Sequence, residues 1–248
     1  MATMLRRKAS RPDTGAMTLA EHLRELRRRV VICAVAFVVT ATVAFVVYPA
    51  ILDVLKAPYC QSSHGHCSLF VTGPLDGLSI RVKVAAYGGL FLASPVILWE
   101  FWRFVTPGLK PTEKRYAVPF VLASIVLFSL GCVVAYITFP HALTFLGSIG
   151  GPGLRQIYDP VKYLNLVMLL MAVFGIAFEF PVVLVSLEAA GIVSWRQLSS
   201  VRRWAIILIV VAAGVFTPSS DPFSMLALAV PLYAFYELSI LIGWLLKR

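Results

Sequence analysis

Six stretches of the chain are apolar for long enough to matter: 30–48, 84–102, 117–139, 163–187, 204–216 and 223–246. A helix needs about 20 apolar residues to cross a hydrocarbon core of roughly 30 Å. The first four stretches meet that length. The fifth stops before Thr217 and Pro218, so at about 1.5 Å per residue it reaches only roughly 20 Å. Either the bilayer thins around it, or the fifth and sixth helices form a hairpin that stops short of crossing. The pattern therefore predicts an all-α, polytopic membrane protein of six transmembrane helices with short fifth and sixth helices.

Composition excludes a soluble domain. Of 248 residues, 59% are hydrophobic and 14% charged, and the mean hydropathy is +0.85, which leaves too little polar surface to cover a water-soluble fold. The net charge of +10 then speaks to topology and gives no reason to expect nucleic acid. All but five of the 22 Lys and Arg lie before the first stretch, after the second, after the fourth, or at the C-terminus. The five exceptions are Lys56, Arg81, Lys83, Arg155 and Lys162. Cytoplasmic loops hold the excess of positive charge, so both termini are predicted inside. Arg6, Arg7 and Lys8 precede an apolar run that begins only at Val30 and is one of several, which argues against a cleaved signal peptide. Residues 1–17 read as a flexible cytoplasmic tail and 18–248 as one transmembrane domain. Its outer loops, 49–83 and 140–162, are punctuated by Pro49, Pro58, Pro74, Pro152 and Pro160 and are expected to form a structured cap. No internal repeat or inverted half-symmetry is visible.

Two segments at the inner face carry charge in a useful pattern. In TLAEHLRELRRRV, Thr18 and Glu21 form a capping box, and Leu19, Leu23, Leu26 and Val30 give one face suited to the membrane interface. His22, Glu25 and Arg29 fall on another face. Glu25 could simply pair with Arg28 or Arg29 one turn on. In FVTPGLKPTEKR, Pro107, Gly108 and Pro111 hold a turn that presents Glu113 among Lys110, Lys114 and Arg115. That carboxylate either balances a basic loop or offers a bidentate partner to a guanidinium, which Lys could not match.

Acids also stand within apolar runs. Glu179 in FGIAFEFPVV lies deep in its helix, where an ionisable group is costly and a functional candidate, and Pro181 two residues later should free a backbone carbonyl nearby. Glu100 in LWEFW and Glu237 in YAFYELSI lie nearer the inner interface, and Glu100 is expected to be solvated there. Asp221, after a Pro and Ser turn, reads as a helix cap, and His141 as a loop residue. Cys60 and Cys67 flank the polar stretch CQSSHGHC and could form a disulfide, remain thiols, or, with His64 and His66, hold a metal, although no known ligand spacing is present.

Four segments in order, HLRELRRR, FVTPGLKPTEK, FGIAFEFPVV and TPSSDPFSMLALAVPLYAFYELSI, resemble the TatC family, the multispanning component of the twin-arginine protein translocase. The resemblance runs over about residues 21–240. It implies a receptor for signal peptides bearing paired arginines. It further implies a core subunit, neither enzyme nor cofactor-dependent, that works with single-span TatA/TatB-type subunits and other copies of itself. That subunit would move folded proteins across a bacterial plasma membrane on the protonmotive force. Carried over by position, Glu25 and Glu113 would contact the arginine pair with Phe104 and His22 beside them. Glu179, Asp221, Glu237 and Glu100 would serve partners and translocation. The chain departs from the family pattern in carrying Glu100 where Gln is common, TPSSD in place of TPPD, Met225 in place of Gln, and the CQSSHGHC loop.

Two other classes are weighed against this one. A proton-coupled small-solute transporter could use Glu179 and Glu237 as carriers, but the repeat and broken helices typical of that class are missing. An intramembrane protease would need a Ser and His, or metal ligands, at one depth, and none are paired.

Overall fold

A computed structural model of the chain describes residues 19–62, 70–71, 73–105, 117–149, 151, 158–217 and 221–245. Among the described residues the secondary structure is entirely helical. In chain order the helices are α1 (Leu19–Val46), α2 (Tyr48–Ser62), α3 (Asp76–Val105), α4 (Ala117–Ile149), α5 (Pro160–Ala177), α6 (Phe180–Ala189), α7 (Trp195–Ser200), α8 (Arg202–Phe216) and α9 (Pro222–Leu245).

Small residues set the closest approaches, as they must where lipid tails remove any hydrophobic drive between helices. α1 lies along α3. A Cβ on Gly89 would stand 2.5 Å from the Cα of Ala41, so glycine alone permits this spacing, and Thr40 Oγ1 donates to the Gly89 carbonyl at 2.8 Å. Gly131 of α4 meets α5 in the same way, since its Cβ would fall 2.5 Å from the Phe174 carbonyl oxygen. The core is built where α4, α5 and α9 meet, with Phe139, Leu164, Met168, Leu170, Phe174, Phe178 and Leu228 fully enclosed. α1 stands at the edge, and its Val31, Val35, Val38 and Val39 remain exposed as a face for lipid.

The predicted fourth span is one unit of two helices. Pro181 has no N–H to offer the Ala177 carbonyl, and the chain tightens at Phe178 and Glu179, where the Glu179 N–H turns back to the Ile176 carbonyl at 3.1 Å. Among the described residues, five segments are long and apolar enough to cross a membrane: Ala20–Val46, Asp76–Phe104, Val118–Ile149, Pro160–Ala189 and Pro222–Leu245.

Several expectations are corrected here. The stretch 49–83, expected as an outer loop, is largely helical where it is described, holding nearly all of α2 and the first two turns of α3. Tyr163 and Tyr136 hydroxyls donate to the Leu55 and Val54 carbonyls of α2 at 2.9 and 2.8 Å, which ties α2 down as a cap. α4 continues through Pro140 to Ile149, so His141 is helical. A proline punctuates a loop in water, but a membrane helix tolerates it because neighbouring groups re-satisfy the backbone: in α3 the Phe91 carbonyl, which Pro95 leaves without its N–H, accepts from the Ser94 hydroxyl at 2.7 Å. The expected shortness holds for α8, with 15 residues. It does not hold for α9, whose 24 residues reach about 36 Å.

Candidate functional site

At one end of the bundle, the start of α1 packs against the last turns of α3 and brings five predicted residues together. Glu25 and Arg29 are four apart on α1 and form an ion pair. Arg29 Nη1 continues across to α3, donating to the Glu100 carbonyl oxygen at 3.2 Å and to Glu100 Oε2 at 3.4 Å. The guanidinium therefore lies between two carboxylates. The Arg29 and Glu100 side chains are 11% and 10% exposed, whereas Glu25 is 25% exposed, so Glu25 is the member that faces outward. One turn earlier, His22 stacks on Phe104, with ring centroids 4.5 Å apart and planes inclined by 26°.

This geometry corrects the reading of Glu100. The residue is buried and ion-paired, not solvated at the interface, because Arg29 supplies a counter-charge that lets a carboxylate leave water. It also stands with Glu25 and His22, apart from the partner-facing acids with which the sequence grouped it. The i,i+4 pairing of Glu25 with Arg29 is present as the local alternative predicted, and it coexists with the exposed carboxylate edge. Glu113 and its turn lie outside the described residues.

The acids of the span are handled individually. Glu179 accepts a hydrogen bond from Ser124 of α4, and Ser124 Oγ in turn accepts from Trp102 Nε1 at 2.6 Å. Glu179 Oε1 is buried without a hydrogen-bond partner among the described residues. Asp221 is the expected cap, its Oδ1 accepting from the Ser224 N–H at 2.8 Å while 1% exposed. Glu237 pairs with Arg202 of α8 at 3.0 Å and accepts from the Tyr233 hydroxyl at 3.0 Å.

Sequence reasoning missed Glu188. It is 1% exposed, both carboxylate oxygens are unpartnered among the described residues, and it packs on Gly243 of α9. It lies one residue past the fourth apolar run, 163–187, and so falls outside the stretches whose acids stand out in the sequence. Cys60 is disulfide-bonded, and its expected partner Cys67 lies outside the described residues with His64 and His66. No cluster of three or more metal-ligating side chains occurs among the described residues.

Fold and site together define a multi-pass α-helical membrane protein with two carboxylates, Glu25 and Glu100, gathered around Arg29 at one end. A family model described as Sec-independent protein translocase protein (TatC) matches residues 21–231. A Sec-independent protein translocase protein TatC from Frankia casuarinae is 42% identical over the whole chain and 71% of its own length. Its counterpart from Aquifex aeolicus is 40% identical over 94% of this chain and 97% of its own length. Among solved structures, the crystal structure of a twin arginine translocase receptor, TatC, superposes with a TM-score of 0.76 at 38% identity, covering 92% of this chain and all of that one. The chain belongs to the TatC family. That membership favours the translocase reading over a small-solute transporter.

Proposed function

We propose that this chain is a twin-arginine signal-peptide receptor and the core subunit of a translocase that moves folded proteins across a bacterial plasma membrane using the protonmotive force. In this reading it crosses the membrane six times with both termini in the cytoplasm, works with single-span TatA/TatB-type subunits and further copies of itself, and performs no catalysis of its own. The observation that carries the proposal is the side-chain cluster at the α1–α3 end. There Glu25 presents a partly exposed carboxylate beside the His22–Phe104 stack. A guanidinium pairs with a carboxylate through two parallel bonds and lies flat on an aromatic face, and an ammonium does neither as well. Glu113 is assigned the second arginine of the pair. Glu179, with one oxygen held by Ser124 and Oε1 unpartnered among the described residues, is assigned to a polar group on a partner's transmembrane helix.

The test is photocrosslinking from a probe beside Glu113, in membranes containing the chain, to a signal peptide carrying Arg-Arg or Lys-Lys. A crosslink formed with Arg-Arg and lost with Lys-Lys is expected. Equal crosslinking to both, or none, would defeat the arginine-recognition mechanism. E25Q combined with E113Q is expected to abolish binding of the Arg-Arg peptide, and binding retained in that variant would do the same.

A further inference from the structure

Arg29 already gives Glu25 what an incoming arginine would give it. Its guanidinium is ion-paired with the Glu25 carboxylate, so on the reading proposed above, the binding group is occupied before any peptide arrives. Two features make that occupancy reversible. Arg29 has a second anchor on α3, where Nη1 reaches both the carboxylate and the main-chain carbonyl of Glu100 at 3.4 and 3.2 Å. Glu25 is also the outward member of the trio, at 25% exposure against 10% for Glu100, so a guanidinium from outside reaches Glu25 first.

We infer that Arg29 is an internal guanidinium that holds the Glu25 carboxylate until a signal arginine takes its place, and that Glu100 is the positioning residue that keeps Arg29 when it lets go. The inference rests on Glu25 being a receptor carboxylate and adds a regulation of that site. One arginine between two carboxylates leaves the trio with a net negative charge, which is the charge the peptide's guanidinium neutralises. With a neutral residue at position 100, Arg29 would have only Glu25 as counter-ion and the trio would be neutral before binding. A cation arriving at a matched pair gains little, since a carboxylate shared between two cations is already compensated by the first. Arg29 suits this role better than lysine would. Its five donors in a rigid fork span both carboxylates at once, and its Nε, buried and unpartnered among the described residues, leaves a donor in reserve.

The experiment measures the affinity of a fluorescent Arg-Arg signal peptide, with the Lys-Lys peptide as control, for the full chain in lipid nanodiscs. E100Q is expected to bind the Arg-Arg peptide about tenfold more weakly, and adding R29Q to E100Q is expected to recover at least most of that loss, because Glu25 is then free. A merely structural role for Glu100 would not be repaired by removing its partner. Wild-type affinity in E100Q, or a double variant no tighter than E100Q, overturns the inference. Should E100Q alone fail to fold, the double variant against the wild type decides. Binding near wild-type strength or tighter supports the internal guanidinium, and binding weaker by about the tenfold expected of E100Q alone shows that Arg29 assists the peptide and does not compete with it. E25Q separates the two layers. If E25Q leaves Arg-Arg binding intact, the receptor site itself is misplaced. If E25Q abolishes binding while E100Q matches wild type, only the present inference fails.

Discussion

Glu188 and Glu179 show two ways in which this chain keeps an acid inside an apolar bundle. Glu188 is enclosed against Gly243, and a Cβ there would stand 2.5 Å from its Oε1 and 2.7 Å from its carboxyl carbon. The carboxyl group occupies the space that a side chain would need. G243A is therefore expected to destabilise the protein by about 1–3 kcal/mol, the usual cost of overpacking, and to cost clearly less in an E188A background. Thermal unfolding of the four proteins in detergent measures that cycle, and equal costs in both backgrounds would show that the carboxyl group moves aside freely. Glu179 is instead bonded through Ser124, whose single hydroxyl serves both Glu179 and Trp102. S124A takes the shared oxygen from both and is expected to cost about 1–3 kcal/mol, readable in the same assay. E179A is expected to weaken association with a single-span subunit, measured by co-purification, while signal-peptide binding stays at wild-type level. Loss of peptide binding in E179A would mean that the two functions are not separated along the chain.

At the scale of elements, the break between α5 and α6 was legible because proline's missing N–H is a property of one residue. It follows that P181A should restore the bond to the Ala177 carbonyl and straighten the α5–α6 unit. The distance between spin labels at Lys162 and Ile192, both exposed, is then expected to lengthen and narrow in distribution, and an unchanged distance would assign the break to the packing of Phe178 in the core. Apolar run length gave the long helices for the same local reason. It misjudged their ends because α4 runs on through Pro140 and α3 begins ahead of the apolar run, at Asp76, with the charged Arg81 and Lys83 inside it. It also passed over α2, whose polar and apolar residues alternate around a helix too short to cross. Within the site, Glu25 with Arg29 could be read from a spacing of four, and His22 lies on the same face of α1. Glu100 could not, because its bond to Arg29 joins positions 71 apart. Only the pairing of α1 with α3, set by Gly89 and Ala41, brings them into contact.

For the molecule as a whole, the open question is which end of the bundle faces the cytoplasm, and contacts tie the ends into two sets. Arg29 joins the start of α1 to the end of α3, Trp102 joins that end to the start of α4, and Glu188 on Gly243 joins the end of α6 to the end of α9. The same end holds Arg24, Arg27, Arg28, Arg103, Arg196, Arg202 and Arg203, while Lys56, Arg81, Lys83 and Lys162 stand at the other. Positive charge is retained on the cytoplasmic side during insertion, so the arginine-rich end is expected to be internal. That end must be internal for the proposed receptor, because a signal peptide meets the membrane from the cytoplasm before its passenger has crossed. S200C, exposed at the α7 end, and S148C, exposed at the far end of α4, read the orientation directly with a membrane-impermeant maleimide. In a C60S/C67S background the remaining Cys132 is buried and Cys33 lies within α1, so little other labelling is expected. S148C should react in intact cells, and S200C only after the membrane is opened. The reverse pattern would place Glu25 and the His22–Phe104 stack on the outer surface, where no signal peptide could reach them before transport, and would remove the receptor assignment whatever the affinity measured in nanodiscs.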